Sequence, residues 1–154
     1  MLQPGQIAPN FSCADADMEF IRLADYKDHA HVVLYFYKHD SAPSCTQENI
    51  EFSDLADDFA AHETVLLGVS RDDCLSHAAF RDQHGISTRL LADKDGVVCQ
   101  KYGVLHDRMI DGVNRKSALR STFIIDKQGV VRHALYDVAS KGHAQQVLAL
   151  VKQL

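Results

Sequence analysis

The chain has 154 residues and a formal net charge of -5, with 46% hydrophobic and 24% charged residues. That length predicts one domain, residues 1–154, with a core large enough to stand without a metal or disulfide staple. The ordinary apolar and charged fractions argue against disorder, and the acidic balance argues against a nucleic-acid partner.

Four cysteines in a chain this long are too few for a disulfide scaffold. The start, Met1-Leu2-Gln3-Pro4-Gly5-Gln6, has neither a basic n-region nor an apolar run. No apolar run approaches the roughly 20 residues that span a bilayer. A cytoplasmic protein with reduced thiols and no membrane association is expected, and any disulfide in it is more often transient than structural.

Taken in order, Phe11 to Cys13 and Phe20 to Arg22 read as a hairpin around Asp15-Ala16-Asp17. His31 to Tyr37 (HVVLYFY) is nearly all apolar and aromatic or β-branched, the mark of a central strand buried on both faces. Ser44 to His62 carries Ile50, Phe52, Leu55, Ala56, Phe59 and Ala60 at helical spacing. Thr64 to Ser70 is a second buried strand, and Cys74 to His84 a helix stopped near Gly85. Arg89 to Ala92 is a short strand and Gly96 to Tyr102 a short helix. Ser121 to Asp126 and Val130 to Tyr136 are strands joined by the Asp126-Lys127-Gln128-Gly129 turn, and Gly142 to Leu154 closes the chain as a helix. This order predicts an α/β sandwich with parallel central strands and an antiparallel edge. In such sheets sites form at the carboxyl ends of the strands.

The loop after the most apolar strand reads Lys38-His39-Asp40-Ser41-Ala42-Pro43-Ser44-Cys45-Thr46-Gln47-Glu48. Ser44 is a good N-cap, and Gln47 three residues on completes a capping box. Cys45 then falls at the first helical position, where unpaired N–H groups and the positive end of the helix dipole favour thiolate over thiol. The reading is a reactive cysteine, set against the buried inert thiol that free cysteines more commonly are.

Several segments together resemble a peroxiredoxin of the bacterioferritin comigratory protein, or PrxQ, type. They are Pro9-Asn10-Phe11, Val33-Leu34-Tyr35-Phe36-Tyr37, Pro43-Ser44-Cys45-Thr46-Gln47-Glu48, Gly68-Val69-Ser70, Leu90-Leu91-Ala92-Asp93 and Arg120-Ser121-Thr122-Phe123-Ile124-Ile125-Asp126. The match is collinear over nearly the whole chain. It implies a thioredoxin-like fold, a central mixed sheet flanked by helices with an N-terminal β-hairpin extension. It also implies peroxide reduction by Cys45 through a sulfenic acid, without metal or organic cofactor, recycled by thioredoxin or a glutaredoxin-type donor. Arg120 matches the arginine that stabilises thiolate and peroxide, and Glu48 an acid of the same helix expected to orient it.

The resemblance also implies a proline seven residues before the cysteine and a threonine three before it. This chain has Lys38 and Ala42 there, and Ser41 is a candidate substitute for the threonine hydroxyl. The position five after Cys45, where many members carry a resolving cysteine, is Ile50, and the alternative position is Arg81. Cys74, two turns before Arg81, is the candidate resolving cysteine, set against a half-buried helix cysteine of no special role. Cys13 and Cys99 are read as bystanders.

The nine histidines show no zinc-like pairing with cysteine, and His77 and His84, seven apart, are read as solvent-facing. The rival reading is a thioredoxin-fold sensing or binding module that no longer turns over, motivated by the altered loop. A monomer or weak homodimer is expected.

Overall fold

A computed structural model describes residues 1–154. In chain order the elements are β1 (Ser12–Ala14), β2 (Phe20–Arg22), a 3₁₀ turn (Leu23–Tyr26), β3 (His31–Phe36), α1 (Pro43–Asp54), α2 (Ala56–Ala61), β4 (Thr64–Ser70) and α3 (Cys74–His84). They continue with β5 (Arg89–Ala92), α4 (Val97–Lys101), β6 (Leu105–Ile110), β7 (Val113–Ala118), β8 (Ser121–Ile125), β9 (Val131–Leu135) and α5 (His143–Val151). No helix is long and apolar enough to cross a membrane.

The main sheet has the order β5-β4-β3-β8-β9. β3 pairs parallel with β4 and antiparallel with β8, so the sheet is mixed, with its parallel half at β3, β4 and β5. β3 lies at the centre because five of its six residues are buried and apolar or aromatic. Its alternation feeds two cores. Val32, Leu34 and Phe36 pack with Cys13, Ile21, Val98 and Cys99 from the N-terminal hairpin and α4. Val33 and Tyr35, followed by Tyr37, pack with Cys45, Phe52, Phe59, Phe80 and Val147 from the four longer helical segments. Each large apolar side chain buried this way contributes roughly 1.5–3 kcal/mol.

Three expectations need correction. The helix predicted over Ser44 to His62 is two helices, broken at Leu55 (φ -98, ψ 5), whose N–H is shared among carbonyls of the preceding turn. Asp57 and Asp58 sit in the first turn of α2, where acids favour a helix start. A one-residue break leaves Phe52, Leu55, Ala56 and Phe59 at helical spacing, which is why the pattern reads as continuous. Second, α1 begins at Pro43 with Ala42 as N-cap. Proline suits N1 because it has no N–H to leave unpaired. Ser44 is therefore not the cap, and Cys45 is the third helical residue. Third, residues 105–118, whose apolar pattern predicts no element, form the β6–β7 hairpin. Its turn is Asp111-Gly112, both at positive φ, as a two-residue hairpin of this kind requires.

Candidate active site

Cys45 is fully buried in the first turn of α1, where the backbone N–H groups lack intrahelical partners. A chain of core contacts sets its height. Gly68 on β4 is opposite Tyr35 on β3, and a Cβ at Gly68 would lie 2.7 Å from the Tyr35 ring. With that space open, Tyr35 stacks on Phe52 of α1 at 4.3 Å between centroids. Its hydroxyl donates to Asn49 Oδ1 at 2.6 Å, and the Asn49 amide donates to the Cys45 carbonyl at 2.9 Å. The helix carrying the thiol is thus tied to the central strand by one buried hydrogen bond at Asn49 and by the Tyr35–Phe52 stack, and Asn49 passes the tie to the Cys45 carbonyl within the helix.

Arg120 arrives from a distant part of the chain. β8 pairs with β3 so that Ser121 is opposite Phe36, which brings Arg120 to the end of β3 and over the start of α1. Its Nη2 donates to Cys45 Sγ at 3.3 Å and to Ser44 Oγ at 2.8 Å. A guanidinium there offers a permanent charge and fixed donors to a thiolate or a developing oxyanion. Ser44, expected as a helix cap, is instead the hydroxyl that receives Arg120. The signal for it was its place one residue before the cysteine, masked by its good capping chemistry.

Glu48, three residues after Cys45 and on the same face of α1, is also fully buried. Its Oε1 is 3.6 Å from Arg120 Nε. Neither carboxylate oxygen accepts a hydrogen bond, and Arg120 Nε donates none. Burial pushes the Glu48 carboxyl up to about 8, against a lowering by the Arg120 charge and a further rise from Glu51. The distance alone reads as an ion pair, whereas the missing hydrogen bonds and the burial read as a largely neutral carboxyl near pH 7. The second reading is the better one, because a buried carboxylate without hydrogen bonds is very costly.

Ser44 and Arg120 line a cavity of about 390 Å³ together with Lys38, His106, Arg108 and Asp137. Ser41 is exposed, hydrogen-bonds to none of Cys45, Glu48 or Arg120, and opens instead on a larger groove between α1 and α3 with Ile50, Ser76 and Phe80. Cys74 is half-buried at the first residue of α3. Cys13 donates its thiol hydrogen to the Ala92 carbonyl at 3.3 Å. Burial, then the charges of Asp93 and Cys74, push Cys13 up to about 12. Cys99 is raised still further, by burial and Asp93. Burial thus disfavours the nucleophilic thiolate form at both. His77, expected at the surface, is fully buried. Its spacing of three from Phe80 on the inner face of α3 was the available signal.

The AhpC/TSA family model matches residues 4–134. A Helicobacter pylori relative carrying the bcp name is 42% identical over 147 residues, covering 96% of each chain. Peroxiredoxin Bcp of Bacillus subtilis is 32% identical over 153 residues, covering 99% of this chain and 97% of its own. A solved structure of the Xanthomonas campestris bacterioferritin comigratory protein, described for its alkyl peroxide reduction activity, superposes with a TM-score of 0.88 at 31% identity. It covers 93% of this chain and 90% of that one.

Proposed function

The chain belongs to the AhpC/TSA family, as a thiol peroxidase of the Bcp/PrxQ peroxiredoxins with a thioredoxin-like fold, and from that premise we propose that Cys45 is its peroxidatic cysteine. The observation that carries this reading is the Arg120 guanidinium donating to Cys45 Sγ in the first turn of α1. The thiolate attacks one oxygen of a hydroperoxide. An S–O bond forms as the O–O bond breaks, sulfur is oxidised to the sulfenic acid, and the leaving alkoxide or hydroxide takes a proton to become alcohol or water. Arg120 acts twice, holding the thiolate beforehand and the charge growing on the leaving oxygen afterwards. Ser44 Oγ accepts from the same Nη2 and helps hold the guanidinium in place. Glu48, neutral for most molecules near pH 7, leaves the Arg120 charge undivided for the sulfur.

Hydrogen peroxide and small alkyl hydroperoxides are the proposed substrates, entering by the cavity that Ser44 and Arg120 line. The Xanthomonas campestris relative described for alkyl peroxide reduction supports the second class. The sulfenic acid is then reduced by a dithiol donor of the thioredoxin or glutaredoxin type, in the cytoplasm. Cys74 is the proposed resolving thiol, supported by its partial exposure and by its place after β4, at the same end of the sheet as Cys45. The alternative is direct attack by the external thiol.

The test is a coupled assay with thioredoxin, its reductase and NADPH. Turnover that disappears in Cys45→Ser supports the reading. A wild-type protein in which peroxide oxidises no cysteine refutes it and favours a binding module. Peptide mapping after one equivalent of peroxide reads the second step: a Cys45–Cys74 linked peptide supports the resolving role, and overoxidised Cys45 beside free Cys74 removes it.

A further inference from the structure

A buried polar cluster lies between α3 and the loop leading into α1, and the chemistry above makes no use of it. At its centre is Asp40, 4% exposed and five residues before Cys45. Its Oδ1 accepts from the Tyr37 hydroxyl at 2.6 Å and its Oδ2 from the Ser76 hydroxyl at 2.8 Å. Both oxygens also face His77 Nδ1, at 3.0 and 2.8 Å. The Asp40 backbone N–H donates to Asp72 Oδ2 at 2.9 Å, and that oxygen also accepts from Ser70 Oγ at 2.6 Å. The Thr46 hydroxyl, directly after Cys45, shares its hydrogen between the Asp40 carbonyl at 3.2 Å and the Ala42 carbonyl at 3.1 Å, so it ties both loop residues to the first turn of α1. On its far side the fully buried His77 ring meets the Leu91 carbonyl of β5, 2.9 Å from Nε2.

The protons of this cluster follow from its acceptors. A carbonyl oxygen only accepts, so His77 Nε2 carries a hydrogen. Nδ1 faces a carboxylate that already accepts two hydroxyl hydrogens, and two bare acceptors do not bond to each other. A hydrogen therefore also lies on the Nδ1–Asp40 line. Burial raises the Asp40 carboxyl, but the His77 bond and charge, with the Tyr37 and Ser76 bonds, outweigh it and hold the group below the usual carboxylate range. The ring is thus held at both ends, Nδ1 on the Asp40 carboxyl group and Nε2 on the Leu91 carbonyl, and its orientation is fixed. Asp40, Asp72 and His77 bring ligand atoms within 4.8 Å of one another. With both ring nitrogens engaged, the arrangement is a hydrogen-bonded clamp rather than a cation cradle.

We infer that His77 is a positioning residue for the peroxide reaction: bridging Asp40 and the Leu91 carbonyl through its two ring nitrogens, it fixes residues 38–42 and, through the Asp40 carbonyl and Thr46, the first turn of α1 against β5. The inference rests on Cys45 being the reacting thiol. Peroxide attack needs the O–O axis aligned with the sulfur and Arg120, and a misplacement on the order of 1 Å costs up to about 100-fold in rate. Alkylation by a small neutral reagent uses the same thiolate but demands no such alignment. The clamp should therefore matter to one reaction and not to the other.

The experiment compares the second-order rates of Cys45 with tert-butyl hydroperoxide and with iodoacetamide in the full chain. His77→Leu is expected to slow the peroxide reaction by about tenfold or more while alkylation changes by less than about twofold. His77→Asn, whose amide nitrogen takes the place of Nδ1, is expected to recover much of the loss. Equal peroxide rates in folded His77→Leu overturn the inference, and so does a parallel fall in both rates. If His77→Leu does not fold, Tyr37→Phe removes one donor from Asp40 and is expected to show the same split, smaller in size; no split overturns the inference. Absence of any Cys45 oxidation by peroxide in the wild type marks instead the failure of the proposed function.

Discussion

Replacing Glu48 by glutamine tests the electrostatics of the site through the stability of the fold. The carboxyl titrates near 4.5 in an unfolded chain and is pushed up to about 8 in the folded protein, first by burial. Below pH 4.5 both states hold the proton and the neutral group costs nothing extra. Between 4.5 and 8 the unfolded state releases a proton that the folded state keeps, so stability falls as pH rises through this window. The slope is about 1.4 kcal/mol per pH unit, and pH 7 is about 2.5 units above the ordinary value, which gives a loss of about 3 kcal/mol. Glutamine has no proton to release. The stability of Glu48→Gln relative to the parent should therefore rise by about 3 kcal/mol between pH 4 and pH 7. Urea denaturation followed by far-UV circular dichroism at pH 4, 5, 6 and 7 measures this difference directly. A flat difference, or one of opposite sign, would show Glu48 ionised and paired with Arg120 in the folded state. The claim that the Arg120 charge is left to Cys45 would then be refuted.

Further expectations concern the parts around the thiol. Arg120→Ala removes the only side-chain donor to Cys45 Sγ and should lower the second-order rate with peroxide by about 100-fold or more; stopped-flow kinetics read this, and a loss below about threefold would deny Arg120 its role. Gly68→Ala drives a methyl group to 2.7 Å from the Tyr35 ring and should destabilise by about 1–3 kcal/mol. Thermal unfolding should show a drop of roughly 2–4 °C per kcal/mol, and an unchanged midpoint would mean that Tyr35 is free to move away. Cys74→Ser should leave the sulfenic acid of Cys45 without its intramolecular partner, so that Cys45 overoxidises at lower peroxide. Intact mass after a peroxide titration checks this, and an unaltered overoxidation threshold argues for a one-cysteine cycle.

Strands and helices whose burial follows their own periodicity were legible in the sequence. β4, α3 and β5 begin and end where the pattern places them, because alternating or helical apolar residues meet clear stops such as Gly85, which adopts the left-handed conformation at the end of α3. The β6–β7 hairpin was not legible, since most of its residues are exposed and no burial pattern marks it. Only Asp111-Gly112 announced its turn. At the site, Cys45 was found by its place at a helix start, although Pro43 rather than Ser44 sets that start. The meeting of Arg120 with Ser44 depends on the register of β8 against β3, which no local pattern encodes. His77 was misread for a related reason. A histidine on the inner face of a helix looks polar in sequence, and only Asp40 and the Leu91 carbonyl, 37 and 14 residues away, make its burial tolerable.

The central claim is that Cys45 is the thiol that meets peroxide. Reduced protein treated with one equivalent of hydrogen peroxide in the presence of dimedone, then digested and mapped by mass spectrometry, tests it most directly. The dimedone adduct, or a disulfide that includes Cys45, is predicted on the peptide carrying Cys45, with Cys13 and Cys99 unmodified. An adduct that appears first on any other cysteine while Cys45 stays reduced would contradict the account.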